Sequence, residues 1–121
     1  MEIERKINMA ILKEIEKENG IILNYHRITS LNKITNQNNI IEINSYINEN
    51  QREKEMKYQN LQRKSANEEE LTQEEQTQLE KGINVLVDAE YIQIPYDENM
   101  TIQDAYDYLK TTKKYKDAED V

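Results

Sequence analysis

The stretch IIEINSYI at residues 40–47 decides the fold, because its apolar and polar residues alternate. Ile41, Ile43 and Ile47 fall on one side of an extended chain, and Glu42 and Asn44 fall on the other. A period of two is typical of a strand with one buried face. The stretch therefore predicts a strand in a sheet that is covered on one side.

Residues 83–91 (INVLVDAEY) predict a second strand of the same kind. The residues expected to face inward are Ile83, Val85, Val87, Ala89 and Tyr91. The alternation then slips, because Ile92 and Ile94 have the other parity, and this favours a bulge or a change of partner near residues 91–92. Pro95 has no backbone N–H to donate, so the strand is expected to end about there.

Residues 21–31 (IILNYHRITSL) predict another strand, since they are rich in β-branched residues. The link at residues 32–39 is full of asparagine, which is typical of a turn. We therefore expect residues 21–31 and 40–47 to form a hairpin.

Residues 7–17 suit either a helix or a strand. Isoleucine recurs every four residues from Ile3 to Ile15, which suits a helix, whereas Ile7, Met9 and Ile11 equally suit one face of a strand. The dipeptide at residues 19–20 is Asn-Gly between two apolar runs, which is a strong hairpin signal. The hairpin favours a strand at residues 7–17.

Residues 48–81 are polar, with few apolar side chains. A segment of this length between two strands is typical of an extended or mobile arm. Within it, Thr72 and Glu75 match a capping box for a short helix that ends near Lys81, with Gly82 as its stop.

An amphipathic helix is predicted at about residues 101–111. Thr101 can cap its start, and Asp104 follows three residues later. Its apolar stripe is formed by Ile102, Ala105, Tyr106 and Leu109. Such a stripe needs a surface to pack on, and the open face of the sheet is the candidate.

The predicted fold is therefore a single α+β domain over residues 1–121. We expect a mostly antiparallel four-stranded sheet from about residues 7–47 and 83–94, a projecting polar arm at about 48–81, and a C-terminal helix over one face.

Composition excludes most catalytic chemistry. The chain has no cysteine and two glycines, which excludes thiolate chemistry, cysteine metal sites and glycine-rich phosphate loops. His26 is the single histidine, and an ordinary strand residue is the favoured interpretation over a general base or a zinc ligand. The glutamates at residues 68–70 and 74–75 lack the calcium-loop pattern. We expect no enzyme activity, no cofactor and no metal.

Tyrosine supplies all the aromatic side chains, with eight residues. Its ring buries area while its hydroxyl keeps a polar partner, so it is frequent in protein interfaces. The candidate interface residues are Tyr91, Tyr96, Tyr108 and Tyr115. An alternative for Tyr91, and for Tyr106, is that they fill a core that lacks phenylalanine.

Charge is unevenly placed along the chain. Residues 1–64 hold 11 Lys/Arg against 9 Asp/Glu, whereas residues 65–121 hold 5 against 15. An acidic half disfavours nucleic acid as a partner. It indicates either a solvated surface or an acidic decoy that imitates nucleic acid. The charged N-terminus and the lack of a long apolar run lead us to expect no secretion signal, no membrane partner and a cytoplasmic location.

Two pairs of segments carry a resemblance to a known group. The chain resembles small proteins encoded among the tail genes of phages and prophages of Gram-positive bacteria. Their opening hairpin is similar to GIILNYHRI at residues 20–28 with IEINSY at 41–46. Their closing segment is similar to AYDYLK at residues 105–110 with YKDAEDV at 115–121. The resemblance implies a minor structural or accessory component of a phage tail or tail-like particle, located in the host cytoplasm or in the virion.

Partners implied by that resemblance are other phage structural proteins or further copies of the chain, as a homo-oligomer. It implies no cofactor and assigns no residue a role. The alternative is an acidic inhibitor, of the anti-defence or nucleic-acid-mimic type, that binds and blocks a host protein.

Overall fold

The computed structural model describes residues 10–121. This part of the chain contains five strands and three helices. In chain order they are β1 Ile11–Glu16, β2 Ile22–Ile34, β3 Asn38–Tyr46, α1 Glu49–Ala66, α2 Gln73–Lys81, β4 Val87–Pro95, α3 Ile102–Leu109 and β5 Glu119–Asp120. The α+β class is confirmed.

The chain divides into two compact units. The sheet unit comprises residues 10–47 and 87–121, with all five strands and α3. The helical unit comprises residues 48–86, with α1 and α2. It is inserted between β3 and β4, which are neighbours in the sheet.

The sheet is antiparallel throughout, with strand order β4-β3-β2-β1-β5. Its mostly antiparallel character is confirmed, but it has five strands rather than four. The additional strand, β5, is a two-residue pair with Ile11 and Leu12 of β1. It was missed because Glu119 and Asp120 are both acidic and show no alternation of apolar and polar side chains.

The first hairpin forms as predicted, around Gly20. The Gly20 N–H donates to the Lys17 carbonyl at 2.8 Å, and the Lys17 N–H donates to the Ile21 carbonyl at 2.8 Å. Gly20 has a φ of 85°, a conformation that a residue without Cβ adopts at little cost. Residues 11–16 are therefore strand rather than helix, while residues 7–9 of the predicted strand lie outside the described residues.

The second hairpin, between β2 and β3, is also confirmed. Its turn places Asn36 at a φ of 61°, and the Gln37 N–H donates to the Ile34 carbonyl at 2.9 Å. The pairing shifts once, between Ile28 and Ser30. Thr29 is thus an extra residue in β2, the arrangement of a β-bulge.

The inward parity predicted for residues 83–91 is wrong. β4 begins at Val87, so Ile83 and Val85 lie before the strand, and Ala89 and Tyr91 are exposed. Ile94 is buried in the core and Ile92 packs against it. The physical reason is that Asp88 and Glu90, which share the parity of Ile92 and Ile94, face inward toward lysine partners described below.

The bulge predicted near residues 91–92 is absent from the described structure of β4. Pairing with β3 runs without a shift from Val87, opposite Tyr46, to Pro95, opposite Asn38. β4 does end at Pro95, as predicted. On β3, Ile41 and Ile43 are fully buried as expected, but Ile47 follows the last residue of the strand and is 42% exposed.

One face of the sheet, the core face, is covered by α3 and the segment that follows it. The buried residues of this core are Ile11, Ile28, Ile41, Ile43, Ile94, Ala105, Tyr106, Leu109 and Tyr115. The opposite side of the sheet is called the outer face. The predicted packing of the C-terminal helix on the sheet is confirmed.

Helix α3 begins with the capping box expected from the sequence. The Thr101 side chain accepts from the Asp104 N–H, and the Asp104 side chain accepts from the Thr101 N–H. Ile102 is 44% exposed, so it does not complete the buried stripe. The helix ends at Leu109, and Lys110 then pairs with Asp120 at 2.9 Å, which ties the end of α3 to β5.

The helical unit corrects the prediction of an extended arm. α2 forms as expected, with the Thr72–Glu75 capping box at its start and Gly82, at a φ of 72°, at its end. α1 was not predicted, because its helix-forming Glu, Lys, Gln and Arg residues carry no continuous apolar stripe. The Tyr58 hydroxyl donates to the Leu79 carbonyl at 3.1 Å and joins the two helices.

We predict that Leu109→Ala destabilises the protein far more than Asp107→Ala. Leu109 is fully buried, and such a truncation costs about 2–5 kcal/mol. The Asp107 side chain is 59% exposed on the same helix, where a change is worth within about 0.5 kcal/mol. Thermal denaturation should show a fall in Tm of at least about 8 °C for Leu109→Ala. Equal, small shifts would show that α3 does not cover the core.

Candidate interaction surface and buried polar cluster

The outer side of β4 presents four exposed residues: Pro95 at the end of the strand, and Ala89, Tyr91 and Gln93, which we call the β4 surface. Tyr91 is 63% exposed, the highest value among the large hydrophobic residues of the described chain. None of the three side chains carries a charge, in a protein of which 33% of the residues are charged. The β4 surface is thus an uncharged, aromatic-bearing strip at the edge of the sheet.

The Tyr91 side chain lies beside an acidic residue of β3. Tyr91 pairs with Glu42 across the two strands, on the outer face. The Thr29 hydroxyl, at the bulge of β2, donates to the Glu42 carboxylate. The Thr29 hydroxyl most, and the Tyr91 hydroxyl less, lower the pKa of Glu42, and the Glu42 carboxylate raises the pKa of Tyr91. The ring is therefore exposed, with a carboxylate as its neighbour on β3.

Elsewhere on the outer face, aromatic residues are buried. Tyr25 and Tyr46 face each other across β2 and β3, with ring centroids 5.9 Å apart in an edge-to-face arrangement. Tyr25 is 8% exposed and Tyr46 is fully buried. The exposed part of this aromatic surface is thus confined to Tyr91.

The four tyrosines proposed from the sequence do not form one surface. Tyr108 is 37% exposed, but it lies on α3, on the other side of the sheet from Tyr91. Tyr96 follows the end of β4 and is half-buried. Tyr115 is 1% exposed within the core, which corrects its assignment to an interface. Of the four candidates, Tyr91 is the one that the structure presents most openly.

Beyond Pro95, the chain is fixed by a buried asparagine. Asn39 is fully buried, its Nδ2 donates to the Asp97 carbonyl at 2.9 Å, and its Oδ1 accepts from the Asp97 N–H at 3.3 Å. Both polar ends of the side chain are thereby satisfied, as a buried amide requires. This clamp holds the segment that leaves β4.

The core-facing side of β4 is acidic at its start, and both carboxylates are paired. Asp88 lies 3.1 Å from the Lys17 ammonium, and Glu90 pairs with Lys114. The Lys114 ammonium also lies 5.6 Å from the centroid of the Tyr115 ring. These contacts connect β4 with the first hairpin and with the segment after α3.

Beside these ion pairs lies a buried polar cluster centred on His26. His26 Nε2 is 2.7 Å from the Lys13 carbonyl, so it must be the protonated, donating nitrogen. His26 Nδ1 then accepts from the Ser45 hydroxyl, at 2.7 Å. Because the imidazole is buried, its pKa is lowered, with Lys114 adding to the effect and the Lys13 carbonyl and Glu90 opposing it. The histidine is thus neutral in the folded protein at neutral pH.

The Tyr115 ring closes the cluster. It packs edge-to-face on His26, with centroids 5.2 Å apart. Burial raises the pKa of its hydroxyl, while the nearby Ser45 hydroxyl opposes that rise. The Tyr115 hydroxyl makes no hydrogen bond of normal geometry within the described residues. The cluster therefore combines a satisfied His–Ser pair with an unsatisfied phenol.

Chemically, this arrangement favours a structural role. His26 and Ser45 are 1% and 4% exposed, so a substrate has no direct approach to either side chain. The histidine nitrogen opposite Ser45 is bound to a backbone carbonyl rather than to an orienting carboxylate, unlike a serine–histidine–acid triad. Within residues 10–121, no group of three His, Asp or Glu side chains is placed to hold a metal ion.

The sequence carried no signal for most of these contacts. The pairing of His26 with Ser45 depends on the register of β2 and β3, and the pairing of Tyr91 with Glu42 depends on that of β3 and β4. Both registers are non-local. The predicted inward parity of Tyr91 also concealed its exposure.

Comparisons with known proteins give no further assignment. No family profile, no curated protein and no solved structure matches the chain. Among the helices of residues 10–121, none has the length and apolar character needed to cross a membrane.

We predict that His26 makes the stability of the protein depend on pH below about 6.5. Its pKa is lowered by folding, so the unfolded chain binds a proton at a higher pH than the folded protein. The contribution of neutral His26 to the free energy of unfolding is therefore complete above pH 6.5. Below pH 6.5 the free energy of unfolding falls by up to about 1.4 kcal/mol per pH unit, until the folded-state pKa is reached.

Urea denaturation at pH 7.5, 6.5 and 5.5 measures this loss, with His26→Gln as the comparison. Because His26 is the single histidine, no other imidazole titrates in the window. The variant should be less stable at pH 7.5 and should lose less stability on acidification. The same loss in both proteins would contradict a buried, neutral His26.

Proposed function

We propose that this chain is a non-enzymatic assembly protein that binds other proteins through the β4 surface. The observation that carries the proposal is Tyr91, an exposed aromatic residue on an edge strand. Tyrosine is among the residues that contribute most to binding energy in protein interfaces.

The surroundings of Tyr91 support a binding role. Regular pairing of Tyr91 with Glu42 fixes the backbone that carries the ring before a partner arrives, so less entropy is lost on binding. Ala89 and Gln93 carry no charge that would have to be stripped of water. The strip is therefore suited to contacts driven by burial of apolar area.

The place of this assembly function is proposed from the sequence resemblance. Similarity to proteins encoded among phage tail genes supports a minor structural or accessory component of a tail or tail-like particle. Other structural proteins of the particle, or further copies of the chain, are then the partners, and the protein acts in the host cytoplasm and in the assembled particle.

A second candidate function is an acidic inhibitor that occupies a basic site of a host protein. It is favoured by the glutamates at residues 68–70, all exposed in the loop between α1 and α2, and by the acidic start of α2. Such an inhibitor would bind through charge, and its contacts would weaken as salt screens them.

The two candidates are separated by capture experiments at low and high salt. The immobilised chain is mixed with an extract that contains its natural partners, in 0.1 M and in 1 M NaCl, where charges are screened beyond about 10 Å and about 3 Å respectively. For the assembly function we expect capture at both salt concentrations. We also expect Tyr91→Ala to weaken it by about 30-fold, since an anchor residue contributes about 2 kcal/mol or more.

The matched control is Tyr108→Ala, the same substitution on α3, which should leave capture unchanged. The inhibitor predicts a different set of results: capture disappears at 1 M NaCl, does not change with Tyr91→Ala, and is lost when Glu68, Glu69 and Glu70 are replaced by Gln. These results together would overturn the assembly function in favour of the inhibitor.

A further inference from the structure

β4 is a long edge strand. Its nine residues pair with β3 along their whole length without a bulge, and no other described strand lies on its second side. The opposite edge of the sheet is different, because it is closed by the two residues of β5. The free backbone groups of a regular edge strand are a template for pairing with another strand.

The usual protections of an edge strand are weak in β4. It contains no lysine, and its proline is at the last position, where it interrupts nothing. Inward-pointing charges can also protect an edge. In β4 those charges are Asp88 and Glu90, and both are already paired within the chain, with Lys17 and Lys114. They therefore repel an incoming strand less than unpaired carboxylates would.

We propose that β4 pairs antiparallel with β4 of a second copy of this chain, in the register centred on Tyr91. The pairing rests on the proposed assembly function and names the first partner of the β4 surface. It would join the two sheets into one and place Tyr91 opposite Tyr91 of the second copy. Val87 would then lie opposite Pro95, so that the full length of both strands is used.

Pairing over the full length of both strands selects this register, and the charges on β4 disfavour the registers centred on the two preceding residues. With Tyr91 at the centre, Glu90 lies opposite Ile92 of the second copy, and Asp88 lies opposite Ile94. A register centred on Glu90 would place two glutamates directly opposite each other, and one centred on Ala89 would place Asp88 opposite Glu90. Like charges in directly opposed positions destabilise a strand pair.

A second copy fits the edge better than an unrelated strand, because β4 is complementary to itself. In the Tyr91-centred register the outer face pairs the aromatic ring with its equivalent and the small Ala89 with Gln93. The core face places Asp88 and Glu90 opposite isoleucines, away from like charges. Aromatic pairs are favourable between neighbouring strands.

A charge-swap experiment on the complete chain tests the register. Ala89 and Gln93 are both exposed, so substitutions there leave the core intact. Ala89→Lys combined with Gln93→Lys would set two lysines opposite each other twice in the dimer. Ala89→Lys combined with Gln93→Glu would set opposite charges there instead.

Sedimentation equilibrium at pH 7 measures the dimer dissociation constant of each protein. We expect the unmodified chain to dimerise, the Lys/Lys variant to dimerise at least tenfold more weakly, and the Lys/Glu variant to dimerise like the unmodified chain or better. If repulsion between the net charges of two whole chains controlled dimerisation, the Lys/Lys variant would dimerise more tightly than the Lys/Glu variant. The reason is that the negative formal charge of −8 becomes smaller in the Lys/Lys variant and is unchanged in the Lys/Glu variant.

A monomeric chain up to the highest soluble concentration, or a dimer that both variants leave unchanged, would overturn the pairing. Neither result would remove the proposed assembly function, because salt-resistant capture that depends on Tyr91 would still show binding of a different protein at the β4 surface.

Discussion

The structure depends on the contact of Tyr106 with the central strands. Its ring is buried between α3 and the sheet, and its hydroxyl accepts from the Ile28 N–H at 2.8 Å, beside the register shift of β2. A backbone donor freed near a bulge is costly to bury without a partner, so this hydrogen bond fixes α3 at one position on the core face. Covering one face with α3 leaves β4 free to present Tyr91 on the other.

The polar end of the core links stability to the proposed function. The core space that apolar residues fill further along the sheet is occupied here by His26, Ser45 and Tyr115. At the rim of this region, Asp88 and Glu90 form ion pairs with lysines. The same ion pairs hold the core-facing side of β4 and reduce its repulsive charge. The edge strand is thus held by contacts within its own chain before a partner binds.

Sequence patterns predicted the parts of the fold that are determined locally. The Gly20 turn, both hairpins, the capping boxes at Thr72 and Thr101 and the burial of Leu109 all follow from residues close together in the chain. The parity of β4 did not, because two acidic residues face inward beside lysines that are distant in sequence. α1 was not predicted because its sequence has no continuous apolar stripe, and its contacts with α2, such as Tyr58 with the Leu79 carbonyl, are not visible in a sequence pattern. Of the β4 surface, the sequence indicated only Tyr91 as a candidate interface residue. Its exposure could not be predicted, because it depends on which side of β4 faces the core.

Disulfide trapping tests the central claim, self-pairing of β4, most directly, since the chain has no cysteine of its own. In the proposed register Ala89 lies opposite Gln93 of the second copy, with Cα atoms about 4.5–5.5 Å apart, within reach of a disulfide. The two copies of Ala89 would be about 13 Å apart along the strands. Mild oxidation should therefore convert the double variant Ala89→Cys with Gln93→Cys to a covalent dimer and leave Ala89→Cys alone mainly uncrosslinked, and both proteins retain Tyr91. Equal crosslinking of the two proteins, or none of the double variant, would contradict the pairing.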